Sequence, residues 1–158
     1  MQWAGLISPG AAVLDVAAGG GRHSRFLAQR GHHVTSLDRD VRALPRDLGL
    51  EIIQADLEDG SPWPLPGRTF GGIVVTNYLH RPLFRMLLDA LAPEGALIYE
   101  TFMAGNERFG RPTNPDFLLK DGELLEVVRG HLSVTAYEAR LISEPRTAMV
   151  QRIAARRR

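Results

Sequence analysis

The stretch Val13-Leu14-Asp15-Val16-Ala17-Ala18-Gly19-Gly20-Gly21-Arg22-His23-Ser24 constrains the fold more than any other. Branched apolar side chains run into three glycines, and a helix-compatible segment follows. The apolar run, Ala12–Val16, reads as a buried strand. The segment 22–30 carries Phe26 and Leu27 on one face and stops at Gly31, which predicts a helix. Strand, glycine turn and helix in succession are the first half of a βαβ unit. Glycine suits the turn because it accepts positive φ and lets a ligand approach the backbone. The free N–H groups and partial positive end of the helix add an anchoring point.

The rest of the chain repeats the alternation. Strands are predicted at 33–37, 51–54, 73–76 and 96–101, with helices at 41–48 (interrupted by Pro45), 83–91 and 121–129. Residues 56–69 and 103–119, rich in Gly, Pro and Asn, read as loops. Two final strands, 132–141 and 148–154, follow each other around Glu144-Pro145 with no crossover helix between them, so they pair antiparallel. The expected architecture is α/β and Rossmann-like: a doubly wound, mostly parallel seven-stranded sheet ending in an antiparallel strand pair.

Composition narrows the function. With 158 residues, 44% hydrophobic and 23% charged, the chain is expected to form one domain, residues 1–158, with a real core. A net charge of +1 points neither to nucleic acid nor to an anionic membrane, and no apolar run reaches the length of a membrane helix. The chain has no cysteine, which removes disulfides, thiolate metal sites and a cysteine nucleophile. A cytoplasmic protein is the expectation. The five histidines show no ligand spacing; His32 and His33 are adjacent on a strand and point to opposite faces, so no metal site is expected.

Three strand ends in series carry the functional signal. The glycine turn, with Ala17, Ala18, Gly19 and Gly21, is the first. Asp38 closes the second strand, where a carboxylate can accept from both hydroxyls of a ribose; Arg39 follows it. Asp56 follows the third strand, where a carboxylate can take the amino hydrogens of an adenine while the N–H of Leu57 meets a ring nitrogen. Asp15, just ahead of the glycines, suits a cationic ligand group better than a phosphate.

In these three strand ends the sequence resembles the class I S-adenosylmethionine-dependent methyltransferases. The matching segments are 15–21, Asp38, Gln54-Ala55-Asp56-Leu57, Phe70-Gly71-Gly72-Ile73-Val74-Val75-Thr76-Asn77-Tyr78 and Leu91-Ala92-Pro93-Glu94-Gly95-Ala96-Leu97-Ile98. Ala17 stands where the family often has glycine, and the family's N-terminal covering helix is shortened. The resemblance implies S-adenosylmethionine as cofactor, held by Asp15, Ala17, Ala18, Gly19, Gly21, Asp38, Arg39, Asp56, Leu57 and Asn77. A nicotinamide enzyme fits worse. The pattern Gly-x-Gly-x-x-Gly would start at Gly19 but meets Ser24, and Lys120, the single lysine, has Asp116 rather than tyrosine four positions upstream.

Methyl transfer asks for alignment and water exclusion, and for a base when the nucleophile must lose a proton. Asn77, Tyr78 and His80, after the fourth strand, are the residues expected to face the acceptor, with His80 as a candidate base. Arg81 is a candidate for an anionic acceptor, Glu100 and Phe102 for the border of the same region, and His23 for the cofactor carboxylate. Residues 103–119 read as a mobile cover. Asn106-Glu107-Arg108-Phe109-Gly110 with Phe117-Leu118-Leu119 loosely resembles small-molecule methyltransferases of the tellurite-resistance type, which implies a small, soft or oxyanionic acceptor. The expected function is methyl transfer to a small molecule; a non-catalytic S-adenosylmethionine-binding module that needs a partner is the alternative.

Overall fold

The computed structural model describes residues 1–158. In the first strand, β1 (Ala12–Val16), Leu14 and Val16 enter the core on one side of the sheet and Val13 enters it on the other. All three are fully buried. A strand covered on both faces belongs at the centre of a parallel sheet. β1 lies between β2 (His33–Asp38) and β4 (Phe70–Thr76), parallel to both, and β2 carries β3 (Glu51–Gln54) on its outer edge. β5 (Leu91–Phe102) is parallel to β4, and β7 (Ala148–Arg156) runs antiparallel to both β5 and β6 (Ser133–Ile142). The order is β3-β2-β1-β4-β5-β7-β6. The expected seven-stranded, mostly parallel sheet with its terminal antiparallel pair is therefore present.

Three helices flank it on opposite faces. Leu27 of α1 (Arg22–Ala28) packs with Val13, Val34, Val74 and Ile98. Leu83 and Leu87 of α2 (Leu83–Asp89), and Leu124 and Val128 of α3 (Glu123–Val128), pack on the other side with Leu14, Leu37, Ile73, Leu97 and Tyr99. The second side is the larger core, with 20 buried residues against 7, because two helices share it.

Several local expectations change. No helix forms over 41–48. Pro45 has no N–H to give, and Asp40 takes the Arg42 N–H and guanidinium instead, at 3.1, 2.9 and 2.6 Å. Leu44 and Pro45 turn inward and bury against Gly21. The β2–β3 and β3–β4 crossovers are thus both irregular chain. β5 starts at Leu91, earlier than expected, because Phe70 pairs with Leu91 ahead of a bulge. Gly95 permits this: a Cβ there would lie 2.8 Å from the Ala92 carbonyl oxygen and 2.9 Å from that of Phe70. Residues 103–119, expected as a mobile cover, are fastened down. The amide of buried Asn106 donates to the carbonyls of Gly110 and Pro112, and its own carbonyl oxygen accepts the Met149 N–H at 3.2 Å. No helix is long and apolar enough to cross a membrane.

Candidate active site

In an open α/β sheet the strand carboxyl ends flank a crevice where the strand order reverses, here between β1 and β4. A cleft of about 450 Å³ opens there. Ala17 comes from the end of β1, Asp38 and Arg39 from β2, and Ala55, Asp56, Leu57 and Glu58 from the chain after β3. Asn77, Tyr78 and Leu79 follow β4, and Thr101 and Phe102 end β5. Pro112 and Phe117 of the 103–119 loop complete the wall. The turn after β1 and the carboxylates of Asp38 and Asp56 therefore meet at one cleft.

Hydrogen bonds orient these groups. Asp38 Oδ2 accepts the Gly19 N–H at 2.8 Å and Oδ1 accepts the Asp40 N–H at 2.9 Å, which ties the glycine turn to the end of β2. Asp56 Oδ1 accepts the Glu58 N–H at 2.9 Å. The Asn77 N–H donates to the Glu100 carbonyl at 2.9 Å. The buried Tyr99 hydroxyl donates to the Tyr78 carbonyl at 2.8 Å, so β5 holds the post-β4 loop from beneath. Ala17 and Asn77 both have left-handed backbones, with φ of 54° and 56°. Asparagine tolerates this region, whereas for alanine it costs on the order of 1 kcal/mol or more, strain of a kind that gathers at functional sites.

Some sequence candidates lie elsewhere. Asp15 is buried and does not line the cleft. Ser24 Oγ donates to its Oδ2 at 2.6 Å, and Ser36 Oγ donates to Ser24 Oγ at 2.7 Å. Burial pushes the Asp15 carboxyl up to about 6, against the Ser24 hydrogen bond and the charge of Arg22. Gly21 is buried beneath Pro45, and a Cβ would meet that ring's Cδ at 2.7 Å. Ala18 and Gly19 support the turn without lining the cleft: the Ala18 N–H donates to the Leu37 carbonyl. His80 also stands outside the lining, its carbonyl accepting the Leu83 N–H at the start of α2. His23 Nε2 accepts from Arg22 Nε at 3.1 Å, and partial burial followed by the Arg22 charge lowers its pKa to about 4.

Arg81 does not face an acceptor. Its Nε and Nη2 donate to the Glu123 carboxylate at 2.6 and 2.9 Å, and Nη1 and Nη2 donate to the carbonyls of Asp116 and Leu118. It fastens the post-β4 loop to the segment that carries Phe117. Glu100 pairs with Arg152 at 2.7 Å, and its neighbour Thr101 lines the cleft instead. Tyr78 is half-buried; desolvation and the nearby Glu58 and Asp56 carboxylates raise its hydroxyl pKa, so it stays protonated at neutral pH. Sequence points to Phe117 only through the loose resemblance that Phe117-Leu118-Leu119 carries, and to Glu58, Leu79, Thr101 and Pro112 not at all. Thr101 was within reach, since it ends a parallel strand next to the switch point. Pro112 was not, because loop positions carry no periodicity. No group of three His, Asp or Glu side chains gathers to hold a metal ion.

The family of proteins with a methyltransferase domain matches residues 14–99, from the centre of β1 to β5. The chain belongs to that family. A search of curated proteins finds no match. Among solved structures the chain is similar to TehB from Haemophilus influenzae, with a TM-score of 0.77 and 18% identity, over 98% of this chain. It spans 60% of the length of TehB. It is also similar to an S-adenosylmethionine-dependent methyltransferase from Mesorhizobium loti (TM-score 0.73, 20% identity, 97% of this chain and 94% of that one). A third likeness is to the 1,6-didemethyltoxoflavin-N1-methyltransferase of Burkholderia thailandensis, which holds 1,6-didemethyltoxoflavin and S-adenosylhomocysteine (TM-score 0.66, 20% identity, 93% and 71%). At these identities the likeness is one of fold.

Proposed function

We propose that residues 1–158 act as one methyltransferase domain that methylates a small-molecule acceptor. The observation that carries this reading is the meeting of Ala17, Asp38 and Asp56 at one cleft, next to an uncharged wall from β5 and the 103–119 loop. The Burkholderia enzyme, of the same fold, holds a small heterocycle. A cytoplasmic location belongs to the same proposal and is checked by cell fractionation.

The residues fit the cofactor. Asp38, held by two backbone N–H groups, lines the cleft, where its carboxylate would accept from the ribose hydroxyls. Asp56 and the Leu57 N–H would take the adenine edge, with Arg39 and Tyr78 beside them. Ala17, left-handed and lining the cleft, would meet the remaining part. Bound there, the cofactor supplies a methyl group already activated on a sulfonium sulfur. Asn77, Thr101 and Phe102 would position the acceptor and exclude water.

Calorimetry with S-adenosylhomocysteine tests the reading. Asp38→Ala is expected to weaken binding by roughly 1–3 kcal/mol, the cost of stranding hydrogen-bonding groups. Unchanged affinity would remove Asp38 from the site and the adenosine reading with it.

A further inference from the structure

We infer that the acceptor is an uncharged, flat and largely apolar molecule, recognised by an aromatic slot formed by Phe102, Pro112 and Phe117. This rests on the proposed methyltransferase reading and names the substrate class of that same cleft. It departs from the oxyanionic half of the acceptor expected from the sequence.

Charge decides against an anion. The charged side chains lining the cleft are Asp38, Asp56 and Glu58 against Arg39 alone. The acceptor end, formed by Leu79, Thr101 and the three slot residues, has no charge of either sign. The nearby cations do not line the cleft: Arg108 and Arg111 of the loop lie outside its lining, and Arg81 and Arg146 are engaged elsewhere. Four donor contacts commit Arg81 to Glu123, Asp116 and Leu118. The Arg146 guanidinium lies 5.0 Å from the Phe102 ring centroid and donates to the Arg111 carbonyl, and it does not line the cleft. An anion would meet an excess of carboxylates along the cleft, and the uncharged wall offers no cationic side chain to replace its hydration.

Shape decides for a flat apolar group. Phe117 is 48% exposed although it lines the cleft. Its backbone is held in place: Asn114 Oδ1 accepts the Asp116 N–H at 3.0 Å, the Phe117 N–H donates to the Asn114 carbonyl, and Leu118 and Leu119 are buried behind it. An anchored turn therefore carries this half-exposed ring at the edge of the cleft. Aromatic and prolyl walls with few polar groups are the usual lining of a pocket for a planar ligand. A cleft of about 450 Å³ is near the small end for ligand pockets and must hold the cofactor as well, so the acceptor is compact.

The test compares two probes of equal size and shape, 2-naphthamide and 2-naphthoate, bound to the protein saturated with S-adenosylhomocysteine. 2-Naphthamide is expected to bind roughly tenfold tighter or more, with the gap narrowing as salt screens the carboxylates. Phe117→Ala, at a half-exposed position that does not endanger folding, is expected to weaken 2-naphthamide binding roughly fivefold or more while S-adenosylhomocysteine affinity holds within about twofold. Selenite is expected not to compete. Equal or tighter binding of 2-naphthoate, competition by selenite, or an unchanged 2-naphthamide affinity in the Phe117 variant each overturns the proposal. If S-adenosylhomocysteine binds and 2-naphthamide does not, the acceptor class alone is wrong. If S-adenosylhomocysteine itself does not bind, the methyltransferase reading falls and the acceptor class falls with it.

Discussion

Replacing Asp15 with asparagine isolates a buried ionisation from everything else in the molecule. The carboxyl is 2% exposed and sits at the end of the Ser36–Ser24–Asp15 hydrogen-bond chain that joins β2, α1 and β1. Burial raises its pKa from 3.8 to about 6. A shift of roughly two units corresponds to about 3 kcal/mol between the two protonation states. The folded pKa lies above the unfolded one, so the native state holds the proton more tightly. The contribution is fully present below about pH 4 and is lost as pH rises through about 6. Asparagine stays neutral throughout and still accepts from Ser24. Urea unfolding of both proteins from about pH 4 to pH 8 gives the stability difference at each pH, in which the other carboxylates cancel. Wild-type stability relative to the variant is expected to drop by about 3 kcal/mol over this range and to level off above about pH 7. In thermal melts the same change is roughly 6–12 °C for a chain of this size. A difference flat to within about 0.5 kcal/mol would refute the reasoning, because it would mean that Asp15 keeps its solvation in the native state.

Other perturbations test the supports of the cleft. Gly21→Ala puts a Cβ at a φ of 74° and 2.7 Å from Pro45 Cδ; it is expected to cost roughly 1–3 kcal/mol in urea unfolding. Arg81→Ala leaves Glu123 and the carbonyls of Asp116 and Leu118 without their partner; a loss of roughly 1–3 kcal/mol is expected, with faster amide exchange at 116–123. His80→Ala is expected to keep both S-adenosylhomocysteine affinity and turnover, because His80 stands outside the lining; a slowed turnover at unchanged affinity would return it to the candidate bases.

The framework of this protein was legible in its residues. Alternation in Val13-Leu14-Asp15-Val16, the three glycines and the acidic strand ends at Asp38 and Asp56 are local signals, set by the period of a strand and by the φ values each residue accepts. They determined the parallel sheet and the side on which its cleft would open. Asp15 shows where that reading stops. Its place ahead of the glycines suggested a ligand contact, but side chains alternate along a strand, and this one points into the α1–β2 packing toward Ser24. Arg81 and Glu100 were likewise drawn away by partners at 123 and 152, which sequence distance hides. Which charges remain free in the cleft, and which residues of the 103–119 loop reach it, Pro112 and Phe117, was decided by tertiary structure alone. Hydrogen bonding and burial are settled between segments far apart in the chain, and composition and periodicity carry no record of which pairs will meet.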